Sequence, residues 1–177
     1  PGVIGLLLTG TPGGPWMDWH LPLGYAVLAL LAFRLLWGLL GGHWSRFTSF
    51  VYSPASLLAY LRGRSRTEHR AGHTPLGALS VIALLLVLAS QVLSGLMSDD
   101  EIATFGPLVR FVSGDRVSAA TAFHKDVGQY LVMGLVGLHL LAISWYVLVK
   151  RQPLIKPMLL GDKQLPEPVP ASRDGLP

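Results

Sequence analysis

The chain has 177 residues, of which 51% are hydrophobic and 14% charged, with a net charge of +4 and no cysteine; its mean hydropathy is +0.49. A composition this apolar excludes an ordinary soluble domain and points to membrane helices, with length enough for one bundle. The lack of cysteine excludes disulfides, thiolate ligands and thioether-linked haem, so a bound metal has to rest on histidine, methionine or oxygen.

The chain opens with PGVIGLLLTG, which is apolar but too short to cross about 30 Å of hydrocarbon, and it lacks the basic flank and cleavage site of a secretory signal. We read it as the outer end of a helix that begins upstream, a partial span over residues 1–10. The windows 21–41, 75–97 and 127–149 are each close to the twenty apolar residues that spanning requires, and the last helix is expected to start by 119. The expected fold is an all-α membrane protein: a four-helix transmembrane bundle over residues 1–163, with its first helix truncated. Residues 164–177 are Pro-rich and expected to be a disordered tail.

The connection 42–74 carries Arg46, Arg62, Arg64, Arg66 and Arg70 against Glu68 alone, and the segment after 149 begins KRQPLIK. Basic loops stay in the cytoplasm, which puts these two segments inside. Asp18, Asp99, Asp100, Glu101 and Asp115 then face outward, with residues 11–18 and 98–120. The positive net charge is thereby read as topology, and no nucleic-acid partner is expected. Trp16 and Trp19 fall at the outer border, and Trp37, Trp44, Trp145 and Tyr146 toward the inner one. Within the inner loop, SPASLLAYLRG offers Ser53 as an N-cap and Pro54 at the first helical position of a short surface helix.

The stretch TAFHKDVGQYLVMGLVGLHLLAI places His124 and His139 fifteen residues apart, which in a uniform α-helix is about 22 Å of depth and about 60° of rotation. The helix 21–41 runs in the same direction, and its mouth, WMDWHLPLGY, brings His20 to the depth of His124. Two imidazoles at one level on two helices can clamp a haem iron from both faces. Gly24 and Gly128 follow these histidines by four residues, where a missing side chain lets a flat macrocycle lie against the backbone; glycines there equally suit close helix packing. His139 lies mid-span, where an ionisable residue marks function. Arg34 falls level with it, either to pair with the propionates of an inner haem or to snorkel toward the cytoplasmic headgroups. His43 lies too deep to share the level of His139. His69 and His73 belong to the inner loop. SDDE at 98–101 reads as a solvated loop, and ATFGPLVRFV as a lid over the outer site or a docking ledge.

The segments HLPLGYAVLALLAFRLLWGLLGGHWSRF, GHTPLGALSVIALLLVLASQVLSGLMSDDEIATFGPLV, FHKDVGQYLVMGLVGLHLLAISWY and LIKPMLLGDK occur in the order found in the bacterial cytochrome b561 group, which the chain resembles over residues 15–163. That group is related to the b-type cytochrome subunit of nickel-iron hydrogenases. The resemblance implies a multi-pass protein of the bacterial inner membrane with two b-type haems, each between two histidines. Such a protein passes electrons between the quinone pool and a redox partner in a respiratory chain. His20 and His124 match the ligands of the outer haem and His139 one ligand of the inner haem. The fourth histidine of the family lies near the start of the first helix, ahead of residue 1, so the inner site is expected to be incomplete in this chain. The resemblance makes an electron-transfer protein the first expectation, with cytochrome c or a hydrogenase-like subunit as partner. A superoxide oxidase that reduces quinone, or a haem-bearing membrane anchor of a hydrogenase-like complex, are the alternatives.

The arginine bias yields a direct test of topology. Reporter fusions at residue 66 and after residue 163 are expected to be active only with cytoplasm-dependent reporters, and export-dependent activity at either position would reverse the orientation.

Overall fold

A computed structural model of the chain describes residues 1–10, 14–64, 72–151, 154 and 155. Arg66, Glu68, His69, Arg70 and the Pro-rich tail lie outside the described residues. The helices are α1 (Gly2–Gly10), α2 (Met17–Leu40), α3 (Pro54–Leu61), α4 (Pro75–Leu96), α5 (Gly114–Ala122) and α6 (Gln129–Leu148). A turn of π-helix over Phe123–Gly128 joins α5 to α6, so that Gly114–Leu148 is one 35-residue helical run. No strand forms among the described residues; the single β-bridge pairs Asp99 with Phe105.

Three of these runs are long and apolar enough to cross a bilayer: Gly14–Leu40, Pro75–Leu96 and Gly114–Leu148. At 1.5 Å per residue, α2 and α4 alone are roughly 36 Å and 33 Å long, against about 30 Å of hydrocarbon. In their most apolar windows only 11%, 6% and 6% of residues are buried within the protein. Leu30, Leu86 and Leu141 are 68%, 64% and 69% exposed, and such surface is stable only against lipid. The chain is a multi-pass membrane protein. Observed ends differ from the apolar windows where polar turns extend a helix. Asp18 sits in the first turn of α2, where a carboxylate suits the positive end of the helix dipole, so His20 lies inside the helix. The turn GDRV likewise starts the third run at Gly114.

The described residues divide into two compact units. One comprises Pro1–Arg34 and Leu84–Gly134, the other Leu35–Ala83 and Leu135–Pro177. In the first, α1 lies antiparallel against α2 through small residues. A Cβ added at Gly2 would meet Val27 at 3.3 Å, at Gly5 Leu23 at 3.3 Å, and at Gly10 the His20 ring at 2.9 Å. Where side chains are absent the two backbones approach closely, as in membrane helix pairs generally. The loop after α4 folds back on that helix end: Gly106 N–H donates to Ser98 O (2.8 Å) and Leu108 N–H to Leu96 O (2.9 Å). Its tip is wound around Asp100, whose Oδ1 accepts from the N–H groups of Ile102 (3.0 Å), Ala103 (2.9 Å) and Thr104 (2.8 Å). The SDDE segment is thus a structured loop. Asp99 N–H donates to Thr121 Oγ1 (3.1 Å), tying the loop to α5.

In the second unit, Ser53 caps α3 by accepting from Ser56 N–H at 3.2 Å, with Pro54 at the first helical position, as the sequence indicates. The Tyr60 and Tyr146 hydroxyls are 3.2 Å apart and join α3 to α6. Phe50 is the most deeply buried side chain, at 1% exposure; its ring lies 4.5 Å from that of His73 and 5.7 Å from that of Phe47. Tyr52 Oη donates to His73 O at 2.8 Å, and the His43 ring stands edge-on to Trp44 at 4.9 Å.

Three backbone N–H donors hold the Asp100 carboxyl at a pKa of about 2, below its ordinary 3.8. A depressed acid stabilises the folded loop fully above the ordinary value and loses that contribution as pH falls through about 2. Amide exchange at Ile102, Ala103 and Thr104, corrected for intrinsic rates, is expected to lose protection between pH 4 and 2. Asp100→Ala is expected to show the same loss at neutral pH, and unchanged protection in that variant would contradict the assignment.

Candidate metal centre

Within the first unit, α2 carries His20 and the π turn carries His124, and the two imidazoles are neighbours with nearly perpendicular planes. Their ring centroids are 6.2 Å apart and their planes cross at 88°. A metal between them, bonded to one nitrogen of each ring at about 2 Å, sets the centroids roughly 6 Å apart. The observed separation matches that value.

Each ring is held through Nδ1. His20 Nδ1 lies 3.1 Å from Leu6 O and 3.2 Å from Thr9 Oγ1; His124 Nδ1 lies 2.9 Å from Gln91 O and 3.4 Å from Ser94 Oγ. A carbonyl only accepts, so Nδ1 carries the proton on both rings and Nε2 keeps its lone pair, the tautomer a metal ligand requires. Thr9 and Ser94 are among the few buried polar side chains, at 8% and 5% exposure. Their hydroxyls donate to Gly5 O (2.8 Å) and Gln91 O (2.9 Å).

The two cradles share one design. On α1, the carbonyl of Leu6, the hydroxyl of Thr9 and the bare Cα of Gly10 receive His20. On α4, the carbonyl of Gln91, the hydroxyl of Ser94 and the bare Cα of Gly95 receive His124. A Cβ at Gly10 would stand 2.9 Å from His20 Cε1 and one at Gly95 2.7 Å from His124 Cε1. The carbonyl, the hydroxyl three residues on and the glycine after it lie on one helix face. The corresponding strings are LLLTG and QVLSG. This repeated pattern is the sequence signal that points to Thr9, Gly10, Ser94 and Gly95.

A cavity of about 550 Å³ is lined by His20, Gly24, Tyr25, Leu88, His124 and Val132 among others, together with Asp99, Asp100 and Ile102 of the loop after α4. That volume lies in the range of small-molecule and cofactor sites, about 300–1,000 Å³. Among the described residues no cluster of three His, Cys, Asp or Glu forms. Two facing neutral imidazoles above an apolar cavity fit a metal whose other ligands come from a planar macrocycle, which is the axial ligation of a b-type haem.

The family model described as prokaryotic cytochrome b561 matches residues 2–161. The chain belongs to the prokaryotic cytochrome b561 family. No match was found among curated proteins or among solved structures. Membership makes the chain a membrane b-type cytochrome of electron transfer and implies haem b.

In this b561 protein the structure brings His20 and His124 together. Gly24 lines the cavity and has no atom within 4 Å of an added Cβ. Gly128 faces the Gln91 carboxamide, whose Oε1 an added Cβ would meet. His139 lies in the second unit, half-buried, with Nδ1 3.5 Å from Ser80 Oγ. Arg34, half-buried on α2, does not line the cavity. The π turn that contains His124 continues to Gly128 on the way to His139, so a uniform α-helical count over that interval does not hold: the extra residue of a π turn displaces the register by about 100°.

Gly10→Leu and Gly95→Leu are each expected to push an imidazole out of its place, at an overpacking cost of about 1–3 kcal/mol. Haem content, read by pyridine haemochrome, is expected to fall while far-ultraviolet helicity is retained. Full haem content in both variants would show that the glycine cradles do not position the ligands.

Proposed function

We propose that His20 and His124 are the two axial ligands of one low-spin haem b, and that the protein uses it to carry single electrons between membrane quinone and a redox partner. The observation that carries this reading is the pair of imidazoles 6.2 Å apart, each with Nδ1 committed to a helix carbonyl. An iron bound by two imidazoles takes up and releases one electron with no open position for a substrate. The residues around it do the rest. Leu6 O and Gln91 O hold the ligand tautomer, Thr9 and Ser94 fix the ring rotation, and Gly24 leaves the cavity wall flat. Leu88, Val132 and their neighbours keep water from the site.

The proposal includes a second, inner haem with His139 as one ligand. It is supported by the Ser80–His139 contact, which pairs a serine of α4 with a histidine of the last helix as Ser94 does with His124. The two serines are fourteen residues apart and the two histidines fifteen. Arg34 is assigned to the propionates of that inner haem, and Gly128 to the margin of the outer site. The bundle is read as four-helical, with α1 as its fourth member against α2. Residues 42–74 and the segment after 149 are placed on the cytoplasmic side of a bacterial inner membrane on the arginine bias.

His20→Ala and His124→Ala are each expected to remove one low-spin haem per chain from the purified protein, with membrane insertion unchanged. Retention of the same low-spin spectrum at the same haem count in either variant would sink the ligand assignment.

A further inference from the structure

His124 sits in a helix segment whose hydrogen-bonding is irregular, and one side chain attends to it. Phe123–Gly128 is a π turn. A π turn inside an α-helix shifts the ladder from i+4 to i+5 and leaves a main-chain carbonyl short of its usual donor. Gln91 Nε2 donates to His124 O at 3.0 Å. The backbone carbonyl of the same residue accepts from His124 Nδ1 at 2.9 Å. Gln91 therefore grips the histidine at both its carbonyl and its ring. Its remaining amide atom, Oε1, is buried without a hydrogen-bond partner. It is directed at Gly128, where an added Cβ would collide with it. Burying an unpaired acceptor costs about 1–3 kcal/mol. A position five residues from the end of a spanning helix would be filled at no such cost by leucine, so the cost of a glutamine here has to be offset by what its N–H group does.

We propose that Gln91 is a positioning residue for the outer haem: its carboxamide, admitted by Gly128, locks the π turn and so holds the His124 plane perpendicular to that of His20. This rests on the reading of His20 and His124 as axial ligands. The angle between two axial imidazole planes governs the splitting of the iron d orbitals. Perpendicular planes give a single strongly anisotropic low-field line in the electron paramagnetic resonance spectrum of the oxidised haem, and near-parallel planes give a rhombic three-line spectrum. The 88° crossing assigns the first pattern to this site. His20 needs no such device, because it sits in the regular α-helix α2 with its cradle on α1.

The test uses the full chain purified in detergent, with haem counted by pyridine haemochrome and the oxidised spectrum recorded by electron paramagnetic resonance. Gln91→Leu removes the donor at similar size. Gly128→Ala displaces the carboxamide from the opposite side. Both are expected to keep the outer haem and to move its low-field line toward the rhombic pattern. In a Gln91→Ala background, Gly128→Ala is expected to produce no further movement, because the space its methyl needs is then free. An unmoved line in both single variants, or a line moved by Gln91→Leu and not by Gly128→Ala, overturns the proposal. If Gln91→Leu loses the haem, Gly128→Ala decides alone by the same criterion. Failure of the underlying ligand assignment is separate and visible beforehand, since the parent protein would then show no low-spin signal that depends on His20 and His124.

Discussion

An imidazole inside a membrane helix has two nitrogens to satisfy and no water with which to do it. That constraint organises the chemistry of the first unit. Nδ1 of His20 and of His124 each donates to a helix carbonyl at 3.1 Å and 2.9 Å, and a carbonyl already inside an α-helix has a second lone pair for this use. Once Nδ1 is committed, Nε2 is left as a bare base in a low-dielectric site, which is costly unless a metal or proton meets it. The same bonds that make the imidazoles tolerable in the membrane leave both Nε2 lone pairs available, as the proposed ligation requires.

Those bonds require close helix approach. The donor ring on one helix reaches a carbonyl on its neighbour only if nothing projects from the neighbour at that level, and Gly10 and Gly95 meet the requirement. Thr9 and Ser94, the adjacent residues, are small enough for the same interface and polar enough to add a second contact to the ring. Packing and ligation are therefore not separable here: the small residues that let α1 approach α2 also set the ring that faces the cavity. Repetition of the design as LLLTG and QVLSG is a consequence of both rings needing the same three things at helical spacing.

Part of this was legible in the residues alone. The three spans follow from length and apolarity, and the common depth of His20 and His124 follows from the fixed rise of a helix. The short helix after Ser53 follows from its cap and proline. The supporting groups were not legible in the same way, because Leu6 and Gln91 act through backbone carbonyls, which every residue has. The π turn left no mark in residue type either, and it makes the uniform count from His124 to His139 inapplicable. Gly128 was readable as a small residue near a ligand. Its neighbour, the Gln91 carboxamide, comes from a position 37 residues earlier in the chain and is a matter of tertiary packing.

The loop after α4 forms part of the cavity wall. Asp100 holds the loop tip through three N–H groups, and residues 98–100 border the cavity while Ile102 stands 90% exposed. Solvent exposure and second-shell hydrogen bonds around a metal ligand are among the levers by which a protein sets a haem potential. The most direct measurement of the central claim is near-infrared magnetic circular dichroism of the oxidised, purified protein, which identifies the axial pair of a low-spin haem by the energy of its charge-transfer band. The account predicts a bis-imidazole band that disappears with His124→Ala. A high-spin spectrum, a histidine–methionine band, or a protein without haem would contradict it.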